Sequence, residues 1–580
     1  MMDHFIISKS KDKLPKEHQL KLTDAWYLNI DGEKYEEYLE GDVRILVFGD
    51  YIGTKEQLFT IDVNQIPKLK GNFYAIVIEE NHLKIYSSFL NVLPLYHTSD
   101  FEYISSSIEY IRKKSDKKFE MDKKFILESL LFNYGFFNRT LYKGIELTPC
   151  HCFLELTKEK STIKKHFDTV SLFTKEPYKG SKTADKISAL FIETTKEYFP
   201  KDTFDIAFTS GFDGRTLVSC ATHFDKKFNT FSFGKLENED VAIPKENAKD
   251  INIPYQYFDL GDKEYIKEHY IENANEYNSL YPSGNGLIYS HFLYSTKEIA
   301  KKSKYLISGV VGSELFRALH LTGAVTSQAL VDIFTSTTAD EIRDRILKAK
   351  PLLIINREDF AEELEELIEE LINYKESIPK DLTPNQQFYT FVFEEIFRKF
   401  FGQWIYIQMS YIKVRTPFLD YTFIKELLKT QYAGANNDFF TENPLKRMKG
   451  QYIYADIIKK TNTQIYHQKT GKGYRPKDVR EPFGLFNILF PFIKKRLKRK
   501  VKQTNLDNLG IISGTLAQQN NFKSLIQETE WIDQKYVLNI LDRLSPYTNE
   551  KERDTLLMSI SLISALKQNP NQSNKYLLNE

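Results

Sequence analysis

Residues 204–217 constrain the fold of this 580-residue chain more than any other stretch. An apolar run, residues 204–208, leads into a turn of small residues, and an amphipathic segment, residues 216–224, follows it. This order is typical of a buried strand, a tight loop and a helix. The free N–H groups and the positive dipole end of a helix placed after such a turn favour an anion. The stretch therefore predicts an α/β domain with a phosphate-sized loop at the carboxyl end of a strand.

The turn contains several candidate ligand-binding residues. Asp213 is its only acidic residue, and a carboxylate there would suit Mg²⁺ held against phosphates. Arg215 has guanidinium N–H groups to donate to phosphate oxygens. The small residues that let the backbone approach an anion are Thr209, Ser210, Gly211 and Gly214. An ordinary connecting turn is the alternative, because the stretch matches neither a P-loop nor a GxGxxG fingerprint.

Length, charge and cysteine content set broad limits. A chain of 580 residues is long for one hydrophobic core, so two or more domains are expected. The 80 Lys and Arg residues against 79 Asp and Glu leave a net charge of +1, so no overall field draws the chain to nucleic acid or lipid. The 3 cysteines are too few for a disulfide scaffold. With no spanning apolar run and no secretory signal pattern, we expect a cytoplasmic protein without a membrane span, either monomer or homodimer.

The pattern of secondary structure changes along the chain. Residues 1–168 contain short β-like runs, such as 43–48, 73–78 and 152–156, separated by turn residues. Residues 169–183 are polar and lysine-rich, as expected of a linker. From 184 to 580, strands alternate with helices, which predicts a mostly parallel sheet with helices on both faces. Ligands of such sheets bind at the carboxyl ends of the strands, where the strand order reverses.

A second strand–turn–helix pattern spans residues 305–316. An apolar run meets a Ser-Gly turn and a further glycine, and a helix is expected from about Ser313. The residues of this turn are Ser308, Gly309 and Gly312, and Glu314 follows them. Its expected place is the same sheet edge as the first turn.

Two later segments are also candidates. A glycine-rich basic loop, residues 467–476, contains Lys469 and Lys472, whose charges suit phosphate oxygens, although a solvated basic loop is the alternative. Residues 278–291 form an uncharged stretch that we expect to be a loop. A basic run, residues 494–502, follows apolar residues 485–493. An exposed helix face is expected there, with contact to a polyanion or a membrane surface as the alternative.

These segments, in this order, resemble the asparagine synthetase family. Residues 209–214 match the family's Ser-Gly-Gly-x-Asp-Ser pyrophosphate loop in shape and in the Asp. Residues 308–316 are similar to Ser-Gly-Asp/Glu-Gly-Gly/Ser-Asp-Glu-Leu-Phe, with Val310 and Ser313 at positions that are usually acidic. Residues 413–420 nearly reproduce Glu-x-Arg-x-Pro-Phe-Leu-Asp. The resemblance implies an N-type ATP pyrophosphatase domain over 184–580, with an adenine nucleotide alpha-hydrolase-like, Rossmann-like fold.

The N-terminal runs resemble the glutaminase-type domain of the same family, an α+β Ntn-hydrolase sandwich, over residues 1–168. In the family, a cysteine directly after the initiator methionine is the nucleophile. Here Met1 is followed by Met2 and Asp3, and the first cysteine is Cys150. The resemblance therefore implies a degenerate domain that keeps the fold and has lost glutamine hydrolysis.

The resemblance also implies roles for individual residues. Asp213 would hold Mg²⁺, with Glu314 as a second ligand. Lys469 fits best the lysine that stabilises charge during adenylation, Lys472 is a close rival, and Arg215 would contact phosphates. The residues implied to bind ATP are Thr209, Ser210, Gly211, Asp213, Gly214, Phe233, Ser308, Gly309 and Gly312. Residues 278–291, with Asn285 and His291, stand where the family holds its acceptor substrate, and a flexible connecting loop is an equal alternative. The family's carboxylate-clamping Arg is missing from this stretch, so the substrate is not expected to be free aspartate.

The activity implied is an ATP-dependent amide-bond-forming ligase. Such an enzyme adenylates a small-molecule or peptide carboxylate, releases pyrophosphate, and passes the acyl group to an amine. Without a glutaminase, the nitrogen would come from ammonia or from a substrate amine, as in the related β-lactam and lasso-peptide macrolactam synthetases. Peptide, natural-product or glycan modification is the expected setting. The alternative is a catalytically silent nucleotide-binding scaffold or regulator, which the missing acids at Val310 and Ser313 favour.

Overall fold

The computed structural model describes residues 2–115, 117–317, 319, 322–437, 449–490, 509–510, 512, 520–545 and 547–567. In these residues the chain forms two six-stranded antiparallel sheets and one five-stranded parallel sheet. The basic run of residues 494–502 lies outside the described residues. Within the described residues, none of the helices combines the length and apolar character needed to cross a bilayer.

The N-terminal part is built from the two antiparallel sheets. The first has the strand order β10-β8-β9-β1-β3-β2, and the second has the order β12-β11-β7-β6-β5-β4. The strands are β1 Phe5–Ser8, β2 Gln19–Lys21, β3 Tyr27–Ile30, β4 Glu36–Glu40, β5 Val43–Ile52, β6 Lys70–Glu79, β7 His82–Ser87, β8 Tyr96–Thr98, β9 Tyr103–Ser105, β10 Ile145–Leu147, β11 Cys152–Leu156 and β12 Ser161–Lys165. The predicted β-runs at 43–48, 73–78 and 152–156 are confirmed.

The alternation of side chains along β6 explains how the two sheets pack. Tyr74 and Ile76 point into the main core, whereas Phe73 and Ala75 belong to a second apolar cluster on the other side of the sheet. Phe5 of the first sheet lies 5.4 Å from Tyr74, measured between ring centroids. The two sheets therefore face each other across the main core, and the second cluster is the outer face of the second sheet.

The parallel sheet has the order β15-β14-β13-β16-β17. Its strands are β13 Phe204–Ala207, β14 Phe228–Phe233, β15 Tyr255–Phe258, β16 Tyr305–Ile307 and β17 Lys413–Arg415, and every neighbouring pair is parallel. The chain builds β14 and β15 on one side of β13 and then returns to build β16 on the other. The strand order therefore reverses between β13 and β16, which is where open parallel sheets bind ligands.

Helices occupy most of the remaining chain. They are α1 Lys55–Phe59, α2 Ile108–Lys114, α3 Lys123–Phe132, α4 Ser181–Tyr198, α5 Asp213–His223, α6 Glu239–Asp250, α7 Tyr270–Leu280, α8 Gly286–Ala300, α9 Gly312–Phe316, α10 Gln328–Thr335, α11 Ala339–Leu347, α12 Ala361–Ser377, α13 Pro384–Phe391, α14 Gly402–Met409, α15 Tyr421–Leu428, α16 Lys449–Thr461, α17 Thr463–His467, α18 Pro476–Arg480, α19 Asn520–Gln527, α20 Gln534–Asp542 and α21 Glu550–Lys567. A π-helical segment, Val392–Phe401, joins α13 to α14 in one long helical stretch. Helix α4 begins inside the predicted linker of residues 169–183.

The parallel-sheet region contacts the antiparallel sheets through β17. The Arg415 guanidinium binds the buried Asp50 carboxylate of β5, with Nε to Oδ2 at 2.6 Å and Nη2 to Oδ1 at 3.3 Å. The Asn72 side-chain amide of β6 donates to the carbonyl oxygen of Val414 at 2.8 Å. The motif at residues 413–420 therefore contributes packing contacts between the parallel and the antiparallel sheets.

The prediction that residues 278–291 form a loop is wrong. Helix α7 continues to Leu280 and α8 begins at Gly286, so only a short connection separates them. An added Cβ on Gly286 would lie 2.4 Å from the carbonyl oxygen of Ala274, so a glycine lets the two helices approach closely. The stretch is uncharged because it is largely buried between helices.

Candidate functional site

The turns that follow β13 and β16 lie against each other. The two strands are neighbours, with Ile206 paired to Ile307. The Ser313 hydroxyl, at the start of α9, donates a hydrogen bond to Asp213 Oδ2 at 2.8 Å. An added Cβ on Gly309 would lie 3.0 Å from the Asp213 Cβ, so the second turn packs tightly against Asp213. The two predicted turns are therefore in contact at the carboxyl edge of the sheet, and the place where they meet is called the crevice below.

The two glycines of the first turn have different roles. An added Cβ on Gly214 would lie 2.0 Å from the carbonyl oxygen of Ala207, so this glycine lets α5 approach the end of β13. An added Cβ on Gly211 would meet only the Thr209 hydroxyl oxygen, at 3.6 Å. Gly214 is thus required by packing, whereas Gly211 borders open space.

Ser210 in the first turn binds a carboxylate of the chain itself. The Ser210 N–H and hydroxyl both donate to Asp240 Oδ1, at 3.2 and 2.5 Å. The Gly211 N–H donates to the Thr209 hydroxyl oxygen at 3.4 Å. Asp240 lies in the first turn of α6. The two Ser210 donors, which were expected to approach a phosphate, therefore already bind a carboxylate oxygen.

Two carboxyl groups beside the crevice, those of Asp213 and Glu314, are close enough for the charge of Asp213 to act on Glu314. Asp213 opens α5 and accepts hydrogen bonds from the hydroxyls of Ser313 and Tyr454. Burial and the negative charge of Asp213 raise the pKa of Glu314 to about 7, and the positive charge of Arg317 opposes this shift. Mg²⁺ commonly takes one or two protein carboxylates together with phosphate oxygens and water. Among the described residues there is no group of three or more His, Cys, Asp or Glu side chains arranged for a metal.

Of the two candidate lysines, Lys472 is the one that faces the crevice. Its ammonium group lies 5.5 Å from the centre of the Phe212 ring. Burial lowers the pKa of Lys472 to about 7, with Arg317 acting in the same direction and Asp213 opposing it. The side chain of Lys469 is exposed. Only its backbone takes part in the described contacts, since its carbonyl oxygen accepts a hydrogen bond from the Asn247 amide at 3.2 Å.

Arg215 connects the first turn to the basic loop. Its guanidinium is fully buried and donates to the carbonyl oxygens of Gly211 at 3.4 Å and Lys469 at 3.0 Å. The Gly471 N–H also donates to the Ser210 carbonyl oxygen, at 3.1 Å. Burial lowers the pKa of Arg215 to about 10. The structure thus places Arg215 behind the turn, where it positions the loop that carries Lys472.

The second turn is held close to the sheet. The Ser308 N–H donates to the Arg415 carbonyl oxygen at 2.8 Å, and the Ser308 hydroxyl accepts from the Val310 N–H at 3.4 Å. Gly312 is required because an added Cβ would lie 2.8 Å from Asp213 Oδ1. Val311 has φ of 60°, a left-handed conformation that is strained for a β-branched residue. Strain of this kind clusters at ligand-binding turns.

The remaining predicted residues, Phe233, His291 and Asn285, contact other parts of the fold. Phe233 ends β14, and its ring centroid is 4.7 Å from that of His291 on α8. Burial lowers the pKa of His291 to about 4, so this imidazole is neutral at pH 7. The Asn285 amide donates to the Asn133 carbonyl oxygen at 3.2 Å and to Gln403 Oε1 at 3.3 Å. Asn285 is therefore occupied in packing between helices.

Three residues of the site were not predicted from the sequence: Arg317, Tyr454 and Asp240. Arg317 directly follows the Glu-Leu-Phe of the second turn, so its position in the sequence was a usable signal. Tyr454 lies in the middle of α16 with no motif around it, and only the fold brings its hydroxyl to Asp213. In the sequence, Asp240 is one of two acids at the start of a helix, and nothing there indicates its contact with Ser210.

Comparison with known proteins does not identify the chain. No protein-family model matches it, and no curated protein matches it at a significant level.

Proposed function

We propose that the chain is an ATP-dependent ligase that joins a carboxylate to an amine, with AMP and pyrophosphate as products. One observation carries the proposal: the charge of Asp213 acts on both Glu314 and Lys472, beside two strand-to-helix turns that converge at the switch point of a parallel sheet. Acids that can hold a metal and a cation that can stabilise phosphate charge suit transfer of a nucleotidyl group.

In the reaction we propose, a substrate carboxylate oxygen attacks the α-phosphorus of ATP. A new P–O bond forms, and the bond to the bridging oxygen breaks, so that pyrophosphate leaves with the electron pair. An amine nitrogen then attacks the acyl carbon, AMP leaves, and the amine proton passes to solvent or to a base. Mg²⁺, when bound, would neutralise the charge of the phosphates.

The residues of the chain have distinct tasks in this scheme. The N–H groups of the first turn would donate hydrogen bonds to phosphate oxygens once Asp240 moves away from Ser210. Asp213 and Glu314 would hold the metal in their ionised forms. The Lys472 ammonium would stabilise negative charge on the phosphates, and Arg215 keeps the loop of Lys472 against the turn. Phe233 would lie beside the adenine, because it ends the strand next to β13.

For the fold, we propose that the parallel-sheet domain is adenine nucleotide alpha-hydrolase-like, and that the two antiparallel sheets form an Ntn-hydrolase-like sandwich. The strand order and the facing sheets support this assignment. The first cysteine, Cys150, is an unsuitable nucleophile, because burial raises the pKa of its thiol and keeps it protonated. Ammonia or a substrate amine is therefore the proposed nitrogen source.

The test is exchange of labelled pyrophosphate into ATP against a panel of carboxylates, with Asp213→Asn as the inactive control. We expect at least one carboxylate to support exchange that requires Mg²⁺. Absence of exchange together with absence of Mg²⁺-dependent ATP binding in calorimetry would contradict the proposal.

A catalytically silent scaffold or regulator is the second candidate, and a specific observation favours it. Asp240 occupies the N–H group and hydroxyl of Ser210, and both carboxylate oxygens of Asp213 accept protein hydroxyls. The polar groups of Ser210 and Asp213 therefore have hydrogen-bond partners within the chain and need no ligand. Tight ATP binding with no exchange for any carboxylate would favour this candidate over the ligase.

A further inference from the structure

Asp240 fills the position at which the first turn would bind an anion. The N–H and the hydroxyl of Ser210 both donate to Asp240 Oδ1, at 3.2 and 2.5 Å. Two donors that meet at a single oxygen suit a carboxylate oxygen and a phosphate oxygen alike. The hydroxyl contact has the length of a charge-assisted hydrogen bond. A carboxylate of the chain therefore stands where we propose that a phosphate oxygen binds.

The side chain of Asp240 is the part of this contact that is able to move. Asp240 is exposed, whereas the backbone next to it is fixed, because Val241 is buried and its carbonyl oxygen accepts from the Tyr255 hydroxyl at 3.1 Å. Ser210 is fixed as well, because its carbonyl oxygen accepts from the Gly471 N–H at 3.1 Å. Rotation of one exposed side chain into water is therefore enough to free the Ser210 donors, and helix α6 can stay in place.

A phosphate and the Asp240 carboxylate exclude each other at this position. Both need the same two donors, and two negative charges repel each other strongly at such short distances. A phosphate that binds Ser210 must therefore break both hydrogen bonds of Asp240, whereas a ligand without phosphate leaves them intact. Hydrogen bonds to a charged group are among the stronger ones in proteins, so their loss lowers the affinity for a phosphate at Ser210.

We propose, on the basis of the phosphate site proposed above, that Asp240 is a specificity-determining residue that competes with phosphates for the donors of Ser210. A single phosphate gains little beyond the contacts that it takes over from Asp240. A polyphosphate also reaches Lys472 and, through Mg²⁺, Asp213, and these further contacts offset the displacement of Asp240. The site then favours nucleoside polyphosphates over monophosphates, and the return of Asp240 to Ser210 after the reaction helps to expel pyrophosphate.

The test is calorimetric titration of the full chain with pyrophosphate and Mg²⁺, without a carboxylate substrate. Asp240→Ala should bind pyrophosphate about tenfold or more tightly than the wild type does, because no internal hydrogen bonds have to be broken. Asp240→Asn, which keeps the size of the side chain and removes its charge, should change the affinity in the same direction. The matched control is Glu246→Ala, which removes the same charge from an exposed position later in α6 and should bind as the wild type does.

A double-mutant cycle tests whether Asp240 acts through Ser210. In Ser210→Ala one of the two donors is missing, so the further substitution Asp240→Ala should raise the affinity less than it does in the wild type. Gains of equal size in the two backgrounds would contradict competition at Ser210. Because Asp240 is exposed, its substitutions should leave the midpoint of urea unfolding unchanged, which separates misfolding from a change in binding.

Three other results would overturn the proposal. They are an affinity that Asp240→Ala leaves unchanged or weakens, a gain of the same size in Glu246→Ala, and the absence of pyrophosphate binding in the wild type and Asp240→Ala alike. The outcome is separate from that of the ligase. Tighter pyrophosphate binding by Asp240→Ala without exchange for any carboxylate would support the competition and count against the ligase, whereas exchange together with unchanged affinity would do the reverse.

Discussion

Gly214→Ala is the substitution that tests most sharply how the first turn is built. The added methyl group would lie 2.0 Å from the Ala207 carbonyl oxygen, whereas side-chain Cβ atoms keep at least about 3 Å from such atoms. The helix or the strand end must therefore move by about 1 Å, and neither is a flexible side chain. The shift would also displace the N–H groups that we propose to bind phosphate.

The magnitude follows from two opposing effects. Overpacking against backbone costs about 3 kcal/mol, the upper end for added methyl groups in tight cores. Alanine is a better helix former than glycine by about 1 kcal/mol, which offsets part of this cost. We expect the free energy of unfolding to fall by about 2 kcal/mol. The neighbouring control, Gly211→Ala, places its methyl group in open space and should change stability by less than about 0.5 kcal/mol.

The assay is equilibrium urea unfolding of the full chain, followed by circular dichroism. A large fall in stability for Gly214→Ala and almost none for Gly211→Ala would support the close approach of α5 to β13. If the two variants changed the free energy of unfolding by the same amount, the close approach of α5 to β13 would be refuted.

Three further predictions concern charged groups. Lys472→Met should weaken Mg²⁺-dependent ATP binding at pH 7 by about tenfold, while Lys469→Met should not, and calorimetry measures both. Binding should have an optimum near pH 7. Below it, protonation removes the charge of Glu314, whose pKa is raised to about 7. Above it, Lys472 loses its charge, because its pKa is lowered to about 7. Glu314→Gln should abolish the acid limb of this pH profile and leave the alkaline limb. Arg415→Met should lower the free energy of unfolding by about 2–3 kcal/mol, because the buried Asp50 carboxylate loses its closest ion pair, and urea unfolding measures this loss.

Local sequence patterns predict individual strands and helices well, because the formation of each one depends mainly on residues close in sequence. The run of apolar and β-prone residues that ends before Gly234 predicts a strand, and the strand Phe228–Phe233 covers that run. The amphipathic pattern of residues 362–372 predicts a helix, and helix α12 covers it. Which strands are neighbours depends on contacts between distant parts of the chain. The hydrophobic periodicity of the strands does not show that the two turns are neighbours. The strand–turn–helix motifs at residues 204–217 and 305–316 are what predicted it.

Side-chain direction is what the sequence could not provide. Arg215 follows Asp213 in the turn and was expected to face phosphate, but a loop some 250 residues later offers it a carbonyl oxygen and buries it. The same loop turns Lys472 inward and Lys469 outward. Residues 278–291 looked like a polar loop because they lack charge and contain Asn, Ser and Gly. Their polar groups bind other helices instead, as the Leu287 N–H does with the Ser561 hydroxyl oxygen at 3.1 Å.

Hydrogen–deuterium exchange with and without Mg²⁺-ATP tests most directly whether both turns and the basic loop form one nucleotide site. We predict slower exchange in residues 208–214, 308–312 and 468–474 together, and no change in the antiparallel sheets. Slower exchange in one of these segments alone, or no change in any of them at saturating nucleotide, would contradict the shared crevice as an ATP site.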